Sequence, residues 1–495
     1  MIRSAILLLL IILAVNSTGI AAASSGSNIE DRIRAGIGFI VDQYSPGSAV
    51  TGFLHGASGP TETERMYAID SGIVALALSS YQQTHSSEEF YSYLKAAVQF
   101  LERAQTSSGD FYEYFDVSNS TWGLGEQLYN WNSYALMGAA YAAYTVTDAF
   151  PAEKAYWASI VNMLRLCVDY WIPRTQVPSG QIMFSFPGQS ARADLAANAA
   201  MLVALVHIAL FEYYWGDVNL ATKYAKWSQS IAVWLYSLQE RNVTSWGRGG
   251  FYHNATRTLQ LTFENGLAMF GLNSYYKAIG VLLAVFHPSI SELRESMMNW
   301  TGGYVEATRD SWNGPQYGRS TMGILPYPKE TLAAASLIQA LVDVWINIGG
   351  PTQPPGYWSD AQDLYDWMIG SNEFSLDLQQ AKGIGGGDGG FYAGVKDSGA
   401  ITDSYLATTA LAVYAFVRAS YIEIFEFSWP PIMLAFVLSL ALLEARWLRM
   451  VRGGKRLQVR GCVGKATGDI SGFDWPSFIC STGFSRLVCT RGKGA

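Results

Sequence analysis

Four carboxylate side chains lie near the starts of alanine- and leucine-rich segments that recur along the chain. They are Asp194, Glu264, Asp388 and Asp403. Two carboxyl groups can act as a pair, one protonated as a general acid and one ionised as a base or nucleophile, as glycoside hydrolysis requires. Asp and Glu at a helix start also serve as caps and as partners of the helix dipole. All four are therefore candidate catalytic residues, with helix capping as the alternative role of each.

Aromatic and hydrogen-bonding side chains accompany these carboxylates. Aromatic rings stack on the C–H faces of sugars, while amide, guanidinium and imidazole groups bind hydroxyls. Most of the aromatic residues must fill the core of so large a chain, so few are candidates for binding. The candidate substrate-binding residues are Trp122, Tyr129, Trp131, Arg192, Trp246, His253, Trp312 and Tyr317. They predict that the partner of this protein is a carbohydrate or glycan.

Charge and motifs exclude several other classes. The five histidines are not at metal-ligand spacing, and the sequence has no phosphate loop, nucleophile elbow or zinc motif. Only 15% of the residues are charged and the net charge is −7, whereas a nucleic-acid binder needs a basic patch. We therefore expect no metal, no cofactor and no nucleic-acid partner.

A Gly–aromatic mark recurs along the body of the chain and divides it into six repeats. The marks are Gly52-Phe53, Gly109-Asp110-Phe111, Gly180 with Phe184, Gly250-Phe251, Gly303-Tyr304 and Gly390-Phe391. His55 and His253 lie beside the first and fourth marks, which makes each a candidate site residue. His207 lies in an apolar segment, as a core histidine does.

The hydrophobic periodicity predicts an amphipathic outer helix before each mark and a more apolar inner helix after it. The predicted outer helices are residues 29–44, 87–106, 152–172, 219–240, 288–300 and 357–371. The predicted inner helices are residues 66–82, 126–146, 192–214, 262–284, 329–348 and 402–421.

Six such hairpins predict an all-α fold, an (α/α)6 toroid in which six inner helices form a ring inside six outer ones. An open solenoid of hairpins is the competing architecture; the count of six favours the closed ring. Long loops join each outer helix to its inner helix. In a closed ring these loops gather at one end and line one funnel, which holds the candidate residues.

The repeat also carries a family resemblance. The segment Lys95-Ala96 through Phe100-Leu101, Gln105, Gly109 and Phe111 resembles the glutamine–aromatic repeat of α/α toroid proteins. Partial copies occur at Trp171-Ile172 with Gln176 and Gly180, at Trp234-Leu235 with Gln239 and Gly250-Phe251, and at Gly386 to Phe391 followed by Thr402 to Tyr405. Six-hairpin glycosidases and the terpenoid cyclase and prenyltransferase toroids share this repeat pattern. The resemblance covers about residues 30–420 and implies the fold more than the reaction.

Carbohydrate chemistry is the leading expectation among the reactions of these toroids. Triterpene-type cyclases use a D-x-D-D cluster that this sequence lacks, and prenyltransferases need a cysteine zinc ligand, whereas Cys167 falls within an outer helix. We expect a glycoside hydrolase with paired carboxylates, or a polysaccharide lyase on the same fold. The alternatives are a non-catalytic glycan-binding or envelope-structural surface protein and lipid or isoprenoid chemistry.

The two ends predict export and anchoring. Residues 1–23 combine a positive start, a short apolar run and small residues at 21–23, the pattern of a signal peptide. Residues 427–445 predict a single transmembrane helix, and the basic tail 446–495 marks the cytoplasmic side. An uncleaved anchor and a buried core helix are the alternatives. We expect residues 24–426 to form an extracellular domain on the cell membrane. Candidate glycan acceptors are Asn119, Asn242, Asn254 and Asn299.

Overall fold

A computed structural model describes residues 29–420. It leaves out 48–49, 57–63, 246, 258, 284–285, 307–308, 311–315, 318–328, 349–355, 371–376, 380–388 and 397–398. For residues 309–310, 316–317, 329, 356–358, 394–396 and 399–404 it describes the backbone alone. The predicted signal peptide, transmembrane helix and basic tail lie outside the described residues.

Twelve α-helices follow one another in the described part of the chain. They are α1 (29–42), α2 (Ala68–His85), α3 (Tyr91–Ala104), α4 (Asn130–Ala149), α5 (Lys154–Thr175), α6 (Leu195–Trp215), α7 (Val218–Ser237), α8 (Thr262–Leu282), α9 (Ile290–Asn299), α10 (Thr331–Ile348), α11 (Gly356–Met368) and α12 (Leu406–Ser420). Consecutive odd and even helices form repeats 1 to 6. The predicted helices are confirmed, with ends that move by a few residues.

The even-numbered helices are the inner ones. In α6 every residue from Leu195 to Glu212 is buried, because the helix is apolar on nearly every side. The outer helix α3 instead buries one face, which includes Leu94, Phe100 and Leu101. Helices α6 and α10 are long and apolar enough to cross a membrane, yet their most apolar windows are 100% and 78% buried inside the protein. Packing in the core of the ring explains their composition.

A glutamine after the outer helix holds each of four repeats to the next one. Its side-chain amide donates to the carbonyl of a glycine in its own loop and to a carbonyl of the following outer helix. For Gln239 these acceptors are Gly249, at 2.8 Å, and Ser296 of α9, at 2.9 Å. The same pair of bonds is made by Gln105, Gln176 and Gln379. We call this pair of bonds the glutamine bridge.

The sixth repeat makes its glutamine bridge to the first outer helix, so the ring is closed. Gln379 donates to the Arg32 carbonyl of α1 at 2.8 Å. Gly389 has a φ of +87°, and a Cβ there would strike the Ala35 carbonyl, so only glycine lets the loop approach α1 this closely. An ion pair between Arg32 and Asp377, at 2.7 Å, adds to the closure. The open solenoid is therefore excluded.

Twelve short strands lie in the described parts of the long loops. They are β1 (Tyr44–Pro46), β2 (Thr51–Phe53), β3 (Arg65–Tyr67), β4 (Tyr114–Asp116), β5 (Thr121–Gly123), β6 (Met183–Phe186), β7 (Gln189–Ala193), β8 (Arg309–Asp310), β9 (Gln316–Tyr317), β10 (Lys329–Glu330), β11 (Tyr392–Lys396) and β12 (Gly399–Ser404). All their pairings are antiparallel.

Some of these pairings join loops of neighbouring repeats. Strand β3 of the first loop pairs with β4 of the second, with Met66 opposite Phe115. Strand β10 of the fifth loop pairs with β11 of the sixth, and Gly56 bridges to Tyr405 between the first and the sixth. The long loops thus gather at the end of the ring where the inner helices begin. We call this end the mouth.

Two of the six Gly–aromatic marks need correction. In the third repeat the buried apolar residue opposite Gln176 is Ile182, and Phe184 lies further along, in β6. Gly303 and Tyr304 of the fifth mark are helical: α9 continues as a π-helical turn, Trp300–Val305. The periodicity of α9 does not stop at the glycine, because Tyr304 and Val305 still face the core.

We predict that Gln239→Ala lowers the free energy of unfolding by about 2–4 kcal/mol, because two carbonyls lose their buried donor. Gln379→Ala should cost a comparable amount, since its bridge closes the ring. Gln229→Ala, at a half-exposed position of α7, should change stability by about 0.5 kcal/mol or less. Urea denaturation followed by circular dichroism measures all three. Equal stability of Gln379→Ala and the unmodified protein would contradict a closed ring.

Candidate active site

A histidine and a carboxylate meet at the mouth in repeat 4. His253 Nδ1 lies 2.8 and 2.9 Å from the two carboxylate oxygens of Glu264. The inner helix positions both groups: Asn265 of α8 accepts the Phe251 N–H at 2.6 Å and donates back to the Phe251 carbonyl at 3.0 Å. These bonds fix the loop just before His253, and Glu264 is the residue before Asn265.

Repeat 1 holds a second pair of the same kind. His55 Nδ1 lies 2.5 Å from Asp70 Oδ2, and the Asp70 side chain is 1% exposed. His55 and His253 each follow the buried aromatic residue of their repeat by two positions. The rings of Tyr67 and Tyr405 lie 4.6 and 5.3 Å from the His55 ring, centre to centre. These two tyrosines therefore form the immediate surroundings of the imidazole.

Three other described repeats lack the pair. The residues two positions after the buried apolar residue are Glu113, Phe184 and Ala393, and the inner-helix residues that correspond to Glu264 are Trp131, Ala197 and Thr408. Repeats 1 and 4 are three apart in a ring of six, so their histidines lie on opposite sides of the mouth. The fold is nearly repetitive, whereas the histidine–carboxylate pair is confined, among these five repeats, to two opposed positions.

Hydrogen bonding sets the charge of His253. The bond to the Glu264 carboxylate raises the pKa of His253 above its ordinary value, outweighing burial, which lowers it. Asp194 raises the same pKa and Arg192 lowers it, so both lie close to the ring. Because the folded-state pKa is raised, the imidazolium stabilises the fold below pH 6.5, and this contribution is lost as the pH rises through the folded-state pKa.

The structure describes the side chains of two of the four catalytic candidates, Asp194 and Glu264. Asp194 caps α6 by accepting the Ala197 N–H at 2.8 Å, and it faces the same surroundings as Glu264. Both carboxylates act on the buried Tyr134 hydroxyl, whose pKa is raised well above its ordinary value mainly by burial and further by these charges. Asp388 lies outside the described residues, and Asp403 is described in its backbone alone, within β12.

The predicted aromatic binding residues that the structure describes are largely packed. Trp122 of β5 stacks on Tyr112 and contacts Phe100 and Phe115. Tyr129 and Trp131 stack on each other with ring centres 4.1 Å apart, and each is 7% exposed.

The remaining substrate-binding candidates differ in what the structure shows of them. Arg192 is exposed on β7, with its guanidinium over the Phe186 ring. Trp246 and Trp312 lie outside the described residues, and Tyr317 is described in its backbone alone.

Sequence reasoning missed the histidine–carboxylate pairs and the tyrosines around them. His55 and His253 were candidates, but Asp70 was not joined to His55, and Tyr67, Tyr134 and Tyr405 were not selected. The available signal was positional: in repeats 1 and 4 the histidine occupies the same offset from the mark, and a carboxylate occupies the same place on the inner helix. Among the described residues no group of three or more His, Cys, Asp or Glu could hold a metal ion.

The comparisons with known proteins establish the fold. No protein-family model matches the sequence, and no curated protein sequence matches it. Among solved structures, a cellobiose 2-epimerase from Spirochaeta thermophila DSM 6192 superposes with a TM-score of 0.59 at 11% identity, over 81% of this chain and 98% of the epimerase. A D-mannose isomerase gives 0.57 at 13% identity, over 79% and 97%.

A third solved structure, an α-mannanase of family GH76 from Bacteroides thetaiotaomicron, gives a TM-score of 0.53 at 11% identity, over 80% of this chain and 96% of the mannanase. At such identities these likenesses describe the backbone. The chain has the (α/α)6 toroid fold, as its repeats predict.

We predict that Glu264→Gln lowers the pKa of His253, because the amide removes the charge that favours the imidazolium. An NMR titration of the five histidines measures this directly. His207 is the internal control: its burial lowers its pKa to about 4, and this value should be the same in both proteins. An unchanged His253 titration in Glu264→Gln would contradict the pair as the cause.

Proposed function

We propose that the protein is a sugar-modifying enzyme that transfers a proton at the carbon beside the carbonyl of an open-chain reducing sugar, as a 2-epimerase or an aldose–ketose isomerase. The observation that carries the proposal is the pair of histidines, each bound to a carboxylate, on opposite sides of the mouth. Histidine is the commonest general acid and base, because its pKa lies near neutral pH.

The carboxylates orient the two imidazoles for this chemistry. Nδ1–H of His253 donates to Glu264, so Nε2 is the ring atom that can exchange a proton with a sugar. One histidine takes the C2 proton, and the electron pair left behind forms the C1–C2 double bond of an enediolate, with the charge on O1. A proton returned to the other face of C2 gives the epimer. A proton placed on C1 instead, with transfer of the O2 proton to O1, gives the ketose.

The two histidines suit different steps. The raised pKa of His253 keeps its imidazolium present to a higher pH, which suits it to donate the proton. His55, on the other side of the mouth, then acts as the base. The likeness in fold to a cellobiose 2-epimerase and a D-mannose isomerase supports this class of reaction. Carbohydrate is the substrate class that the sequence also predicts.

Glycoside hydrolysis is the second candidate. It is favoured by one observation: the charges of Asp194 and Glu264 both raise the pKa of Tyr134, so two carboxyl groups belong to one region of the mouth, and hydrolysis needs two carboxyl groups near one bond. A hydrolase would release new reducing ends from a polysaccharide and would lose this activity in Asp194→Asn. An epimerase or isomerase converts one sugar into another without breaking a glycosidic bond.

We predict that His253→Gln and His55→Gln each lower kcat on a reducing mono- or disaccharide by about 10²- to 10⁴-fold. The substrate is found by screening aldoses and disaccharides for conversion by chromatography. His287→Gln is the control, because His287 Nδ1 also lies near a carboxylate, 3.4 Å from Glu292, but its side chain is 58% exposed and belongs to the connection before α9. Its turnover should stay within about twofold.

Two outcomes would contradict the proposed reaction. Reducing-end release that both histidine variants retain and Asp194→Asn abolishes would establish the hydrolase. Sugar binding without turnover, unchanged in every variant, would leave a surface recognition module. Circular dichroism of each variant separates loss of activity from loss of folding.

We also propose that the toroid acts outside the cell, held at the membrane by a helix at 427–445. The proposal is supported by the signal-like residues 1–23, the basic tail and the exposure of Asn119 and Asn242. Asn299 is a poor acceptor, because it lies within the continuous helix formed by α9 and its π-helical turn. Expression of the full chain beside a chain truncated after residue 426 tests the anchor. The full chain should stay with membranes in alkaline carbonate, and the truncated one should be secreted.

A further inference from the structure

A cavity lies among the inner helices, toward the end of the ring opposite the mouth. Its volume is about 240 Å³. Every inner helix contributes to its lining, and one residue from each is Gln83, Tyr141, His207, Lys277, Asp343 and Arg418. Lys277 is fifteen residues beyond the start of α8, so the cavity lies about 20 Å along the helix from the mouth. Buried side chains such as Leu202 and Met269 fill the core between the two ends.

Two cations share one carboxylate in this cavity. Lys277 Nζ lies 3.2 Å from Asp343 Oδ1, and Arg418 donates to the same oxygen. The Asp343 side chain is 3% exposed. His207 adds no charge near neutral pH, because burial lowers its pKa to about 4 and Nδ1 donates to the Val203 carbonyl at 2.7 Å. Among the described residues of the lining the charges of Lys277, Arg418 and Asp343 sum to one positive charge.

This excess charge is more than a structural ion pair requires. One buried carboxylate needs one buried cation, and a second cation adds a desolvation cost. Burial indeed lowers the pKa of Lys277, even though Asp343 opposes the shift. The Lys277 side chain is nonetheless 42% accessible, because it borders the cavity. A cation that lines a cavity and shares its carboxylate with a second cation favours the entry of an anion.

The rest of the lining suits an anion with oxygen acceptors. Three hydroxyl-bearing residues, Tyr141, Tyr144 and Ser274, also line the cavity. Burial raises the pKa of both tyrosines, so their hydroxyls stay protonated at neutral pH and can donate hydrogen bonds. Ammonium, guanidinium and hydroxyl donors together match the oxygens of a phosphate or carboxylate group.

We propose that this cavity is a binding site for a small oxyanion, a phosphate- or carboxylate-bearing molecule, with Lys277 as its main cationic contact. The site is separate from the mouth and does not depend on the proposed sugar chemistry. An anion there neutralises the excess charge amid all six inner helices. Its binding is therefore coupled to the stability of the whole ring.

The test uses the purified full chain at constant ionic strength, with inorganic phosphate, acetate or chloride as the added anion. Isothermal titration calorimetry gives the affinity, and thermal unfolding gives the coupling to stability. Phosphate or acetate should bind with one site per chain and raise the unfolding midpoint, while chloride should do so much less. Equal effects of all three anions, or binding of none, would overturn the proposal.

Three variants locate the site. Lys277→Gln should weaken oxyanion binding by about tenfold or more, because it removes a charge-assisted contact. Lys226→Gln, at an exposed position of α7 with the same change in charge, should bind as the unmodified protein does. Asp343→Asn should bind more tightly and gain more from phosphate in thermal unfolding, since it removes the competing carboxylate. Wild-type affinity in Lys277→Gln would place the anion elsewhere and overturn the proposal.

Discussion

The glutamine bridge is the interaction on which the rest of this structure depends. One side-chain amide satisfies two buried carbonyls, one in its own loop and one on the next outer helix, so a single residue type sets both the fold of a loop and the position of the next repeat. In the sixth repeat the same geometry, made by Gln379 to α1, turns a row of hairpins into a ring. The bridge thus fixes where each loop begins. Further along the loop, an inner-helix side chain such as Asn265 binds the backbone of the buried aromatic residue, here Phe251.

This scaffold separates structure from chemistry. The same backbone contacts recur in several repeats, whereas the histidine–carboxylate pairs occur in repeats 1 and 4 among those described at these positions. A ring of six places these two repeats opposite each other, on the two sides of the mouth. At the other end of the inner helices the charged residues Lys277, Asp343 and Arg418 come from three consecutive inner helices, α8, α10 and α12, and the middle helix brings the other two charges together through Asp343. Each site thus draws on more than one repeat.

Much of the fold could be predicted because periodicity is a local property. The helices follow the 3.6-residue pattern, and the count of repeats favoured the toroid. The Gly–aromatic marks give a wrong prediction where the local sequence is ambiguous. Tertiary packing continues the helix through Gly303, and Ile182 occupies the buried position expected of an aromatic residue. The site was harder, because pairing His55 with Asp70 requires the course of the loop between them. Tyr129 and Trp131 suit a ligand by their residue type, yet they stack on each other where α4 begins.

The central claim is that the opposed histidines move a proton on an open-chain sugar. Incubation of the converted sugar with the enzyme in D2O, followed by proton NMR, tests it most directly. The account predicts that the product carries deuterium at C2 if it is the epimer, or at C1 if it is the ketose, because the proton passes through an exchangeable imidazole. Product with no deuterium on carbon, or free reducing ends with no such product, would contradict it.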